Sequence, residues 1–141
     1  MKINILSRSK IEELIKEGFP DKTSVISFRD TEDEEGVDFS SVYTDICKVA
    51  VDDLEYDELE EYDLTVDTYF TEVNQVAQFI KEAVANDKDI ICQCEYGQGR
   101  SAGCAAAILE AVYGDGISIF SDYRYYPNKL IYNKLIGRLK A

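Results

Sequence analysis

Apolar and polar positions along this chain follow two rhythms, and the switches between them predict its elements. Ile11, Leu14 and Ile15 recur at helical spacing behind Ser9, which reads as an N-cap, and Gly18 closes that helix. Lys2 to Leu6 alternates weakly, as a short strand would. Thr23 to Phe28 is dense in β-formers, and Tyr43 to Val51 contains a second strong strand ending in Val49-Ala50-Val51. Between them, Thr31 to Gly36 is an acidic loop. Asp52 to Asp63 is a long polar loop with room for a helical turn. Val66, Tyr69, Phe70, Val73, Val76, Ala77, Ile80 and Val84 keep helical spacing and predict one helix from Val66 to Ala85. Asp89 to Cys92 is a short apolar strand. Arg100 to Tyr113 is an alanine-rich helix closed by Gly114, followed by short helices over Ile117 to Tyr123 and Asn128 to Leu139. Strands that alternate with helices predict an α/β fold, with a central, mostly parallel sheet of four to five strands flanked by helices on both faces. Residues 1–141 read as one domain, long enough for a single core.

Charge changes this picture more than composition does. The net charge is −13, and its distribution is uneven. From Asp30 to Glu72 there are seventeen acidic residues against one basic residue, Lys48; after Asp122 there are five basic residues and no acidic ones. So acidic a surface argues against nucleic acid as a partner. No apolar run is long enough to span a membrane and no signal-peptide pattern opens the chain, so the expected compartment is cytoplasmic. There is no histidine, and the four cysteines show no metal-ligand spacing, so neither a metal nor another cofactor is expected. Cys47, Cys92 and Cys104 read as reduced core thiols.

Cys94 is set apart by its neighbours. It opens the stretch Cys94-Glu95-Tyr96-Gly97-Gln98-Gly99-Arg100-Ser101, between a strand and a helix. A loop that curls over a helix N-terminus presents unpaired N–H groups and the positive end of the helix dipole to an anion. Glu95, Tyr96, Gly97, Gln98, Gly99 and Arg100 are therefore the expected phosphate-binding segment. Gly97 and Gly99 allow backbone angles that side chains forbid, and Arg100 can offer its planar fork to two anion oxygens. Cys94 stands in the same positive field, which favours the nucleophilic thiolate. Ser101 can donate a hydrogen bond to the sulfur and help it leave.

This stretch resembles the signature loop of the cysteine-dependent protein tyrosine phosphatases, and of their dual-specificity-like branch in particular. That signature is His-Cys, five residues with a central Gly, then Arg and Ser or Thr. Cys94, Gly97, Arg100 and Ser101 match it, and Gln93 stands where the family has His. The resemblance is strongest from about residue 50 to residue 113. It implies a tyrosine-phosphatase-like fold and a phosphoester hydrolase that works through a phosphocysteine intermediate, on a phosphorylated protein or a small phosphoester. It also implies a general acid on a loop after an upstream strand. Val49-Ala50-Val51-Asp52-Asp53 matches that placement, with Asp53 the leading candidate and Asp52 the alternate; Asp57, Glu58 and Asp63 are weaker ones.

Two other functions fit parts of the pattern. A phosphate-recognition module without turnover fits Gln93. A rhodanese-like sulfur transferase or an arsenate reductase also uses a cysteine in an anion loop, but the position of Cys94 past mid-chain counts against the reductases and Ser101 with the upstream Asp pair against rhodanese. Glu95, inside the loop, disfavours polyphosphorylated lipids. The segment Tyr123-Arg124-Tyr125-Tyr126 reads as a buried aromatic corner with Asp122 and Arg124 paired, or else as a rim for an aromatic phosphoester.

Overall fold

The computed structural model describes residues 1–141 and contains one sheet of four parallel strands. In chain order the elements are β1 (Ile3–Leu6), α1 (Arg8–Glu17), β2 (Thr23–Arg29), β3 (Ile46–Ala50), a 3-10 helix (Tyr56–Tyr62), α2 (Val73–Ala85), β4 (Asp89–Gln93), α3 (Arg100–Tyr113), α4 (Ile117–Phe120) and α5 (Lys129–Leu139). The sheet order is β1-β4-β2-β3. The α/β fold with helices on both faces is therefore as expected, at the lower of the two strand counts. No helix is long and apolar enough to cross a membrane.

Period-two alternation sorts the strand residues between two cores. Ile26, Phe28, Val49, Ile90 and Cys92 face the larger core, built with α2, α3 and α5. Val25 and Ile91 face the smaller one, covered by Ile11 of α1 and by Val37 and Phe39, which follow the acidic loop. β2 and β4 lie inside the sheet, which explains their near-continuous apolar runs.

The predicted helix from Val66 begins at Val73 instead. Phe70 adopts a left-handed conformation, φ +58°, which no helix continues through. Its ring is buried edge-on against Phe28, with centroids 6.2 Å apart. Lys134 of α5 donates to the carbonyls of Val66 and Tyr69, which closes the turns before the helix. Helix α1 also starts earlier than expected: Ser7, not Ser9, is the N-cap, its hydroxyl accepting from the Lys10 N–H at 3.3 Å. Burial of the Tyr123–Tyr126 corner is not found. Tyr123 and Tyr126 are exposed, although Arg124 does hold Asp122 through both carboxylate oxygens.

The alanine-rich α3 lets α5 approach closely. A Cβ at Gly103 would stand 2.5 Å from the Asn128 carbonyl oxygen and 3.2 Å from its nitrogen. Gly103→Ala is therefore expected to destabilise the protein by about 1–3 kcal/mol, despite alanine's better helix propensity. Urea unfolding with an unchanged slope and a lowered midpoint would be the signature.

Candidate active site

All four strands deliver a residue to the same end of the sheet. β4 runs into Cys94, and its loop returns into α3 at Arg100. The Cys94 sulfur is buried and lies 3.0 Å from the Ser101 hydroxyl. None of the N–H groups from Glu95 to Arg100 is hydrogen-bonded within the chain, so the loop offers an uninterrupted run of donors ahead of the α3 N-terminus.

The loop is held from outside through its carbonyls. The Glu95 carbonyl accepts from the Arg8 N–H, the Gln98 carbonyl from Tyr126 and the Gly99 carbonyl from Asn128. Turning the carbonyls outward leaves the N–H groups free. Gly97 has φ +67°, and a Cβ there would stand 2.7 Å from the Ser7 nitrogen, so both backbone angle and packing exclude a side chain. Gly99 differs from expectation. Its φ is −108°, and what excludes a side chain is the Asp53 carboxyl, whose Oδ2 a Cβ would strike.

Arg100 is 4% exposed and anchored on one side only. Its Nη1 donates to Asp30 Oδ1 and to the Val51 carbonyl, each at 2.8 Å. Its Nε is buried without a partner. An orphaned charged donor is costly unless something fills the space before it, and an oxyanion in the cradle fits that requirement. Asp30 was not singled out in the sequence; its position directly after the carboxyl end of β2 is the signal that marks it.

The two aspartates after β3 have different surroundings. Asp52 takes the backbone N–H and the hydroxyl of Thr31 on its two oxygens, each at 2.9 Å, and so ties its loop to the one after β2. Asp53 packs against Gly99 and accepts from Asn128 Nδ2 at 2.8 Å. Asp57 and Glu58 line an open groove of about 450 Å³ beside the cradle, with Tyr56, Tyr126 and Pro127. Glu58 also caps the 3-10 helix by accepting from the Glu55 N–H. Asp63 sits at the far end of that helix. Gln93 is fully buried, its side-chain oxygen taking the Ser27 hydroxyl. Glu95 points to Arg8, 3.7 Å away, which offsets part of its charge.

The same architecture recurs among solved structures. The PTP-2 phosphatase of Cydia pomonella aligns with TM-score 0.64 over 97% of this chain and 85% of its own, at 12% identity. Human DUSP28 gives 0.60 over 98% and 91%, at 14% identity. The chain has the fold of the cysteine-dependent tyrosine phosphatases. A human tyrosine phosphatase-like serine/threonine/tyrosine-interacting protein shares this phosphatase fold too, with TM-score 0.58 over 93% of this chain and 83% of its own, at 16% identity. No family model and no curated relative matches the sequence.

Behind the phosphatase-fold cradle, Tyr69 donates to the Asp52 carbonyl at 2.5 Å, and burial pushes its phenol up to about 12. The folded state therefore keeps a proton that the unfolded chain gives up at the ordinary tyrosine value of 10. The resulting stability is complete below pH 10 and is lost as pH rises through about 12. Tyr69→Phe is expected to flatten the loss of stability across that window relative to wild type, by about 2 kcal/mol. Urea unfolding at stepped alkaline pH reads the difference.

Proposed function

We propose that this protein is a phosphoester hydrolase that works through a phosphocysteine intermediate. The reading rests on the approach of the Asp53 carboxyl to the Cys94–Arg100 loop at Gly99, because anion binding alone needs no acid there. The loop N–H groups and the free side of Arg100 hold the three non-bridging oxygens. The Cys94 sulfur attacks phosphorus; an S–P bond forms as the P–O bond to the leaving group breaks. That oxygen keeps the electron pair and takes the Asp53 proton. Water then attacks phosphorus and gives a proton to the Asp53 carboxylate. The thiolate departs with its charge shared by the Ser101 hydroxyl, 3.0 Å away.

Asp53 is assigned as general acid over Asp52, since both Asp52 oxygens are engaged by Thr31. A monophosphorylated protein, with phosphotyrosine first, is the substrate class favoured. One fold neighbour was solved in complex with PI(5)P. Here Asp30, Glu95, Glu55, Asp57 and Glu58 surround the approach, which weighs against multiply charged headgroups. A phosphate-recognition role without turnover is the second reading, and the neutral Gln93 directly before the nucleophile is the feature that favours it.

Hydrolysis of p-nitrophenyl phosphate separates the two. Wild type should turn it over, Cys94→Ser should not, and Asp53→Asn should lower the rate on phenyl phosphate by roughly 10²-fold or more. Asp52→Asn should cost far less. No turnover by wild type, or equal rates for wild type and Cys94→Ser, would leave the recognition role standing.

A further inference from the structure

A single buried side chain joins the cradle, the acid loop and the last helix. Asn128 is 6% exposed. Its Oδ1 accepts from the Ile131 N–H at 2.8 Å and so caps α5. Its backbone N–H donates to the Gly99 carbonyl at 3.0 Å. Its Nδ2 carries two hydrogens and reaches three acceptors: Asp53 Oδ1 at 2.8 Å, the Tyr69 hydroxyl at 3.1 Å and the Leu54 carbonyl at 3.2 Å. Tyr69 gives its own proton to the Asp52 carbonyl, so its oxygen receives from Asn128 and cannot donate to it.

These constraints bear on the two oxygens of the Asp53 carboxyl differently. The Asn128 oxygen is occupied by the helix cap, so the amide group facing Asp53 is the NH2 end. An NH2 group only donates, so Asp53 Oδ1 accepts; the carbonyl oxygen of a carboxylic acid is the stronger acceptor, so this contact favours the acid form with its proton on Oδ2. Oδ2 is the oxygen that faces the loop, being nearer to Gly99 than Oδ1 is. Resting on the hydrolase reading, we infer that Asn128 is a positioning residue for proton delivery: it sets which oxygen of Asp53 carries the proton and aims that oxygen at the leaving group. Asn128 touches neither the phosphoryl group nor the sulfur, and acts through Asp53.

Asn128→Ser tests this, because serine retains an N-cap oxygen but cannot reach Asp53. A poor leaving group needs the proton and a good one hardly does. The variant should lower kcat/KM for phenyl phosphate roughly tenfold or more, and that for p-nitrophenyl phosphate less than about threefold. Vanadate affinity should be unchanged, and in an Asp53→Asn background the substitution should cost nothing further. Tyr69→Phe, which keeps the asparagine but removes one of its acceptors, should give a smaller change in the same direction. An equal loss on both esters, no loss on either, or a full additional loss in the Asp53→Asn background would overturn the inference while leaving the hydrolase reading intact. Failure of wild type on both esters would instead overturn the hydrolase reading, and the inference with it.

Discussion

A guanidinium taken out of water needs partners for all its N–H groups, and Arg100 has them on one side only. Asp30 and the Val51 carbonyl grip Nη1, while Nε is buried without a partner in the residue that closes a loop of unpaired backbone donors. Such a site is complementary to an anion before any anion arrives. In the proposed hydrolysis these fixed donors would supply electrostatic stabilisation that needs no rearrangement during the reaction.

The parallel sheet makes this arrangement possible. Every strand ends at the same edge, so each contributes without a long detour. β1 leads to Ser7 and Arg8, which back Gly97 and Glu95. β2 ends beside Asp30, β3 leads to Asp53, and β4 leads to Cys94. The return through α3 and α5 adds Asn128, which the small face of α3 at Gly103 admits. Thus the glycines near the site serve three separate needs: a positive φ at Gly97, space for a carboxyl at Gly99 and helix contact at Gly103.

What was legible in the sequence is what is local. The Cys94 to Ser101 loop, its strand and its helix are written in consecutive residues, and α3 has the predicted bounds. The pair Asp52-Asp53 could be located but not separated, because Thr31, twenty-one positions away, decides which one is engaged. Asp30 and Asn128 lie 70 and 75 positions from the residues they hold, and no local pattern announces such contacts. The overlong helix from Val66 failed for a related reason. Its spacing was helical, but Phe70 gains more by burying its ring on Phe28 in a left-handed turn than by continuing the helix.

The chemistry stands or falls on a bond between Cys94 and phosphorus. Wild-type protein mixed with p-nitrophenyl phosphate and quenched in acid within a turnover should yield a Cys94 peptide heavier by one phosphoryl group, absent from Cys94→Ser. Steady turnover with that peptide unmodified at every quench time, or with the phosphoryl group on another residue, would contradict it.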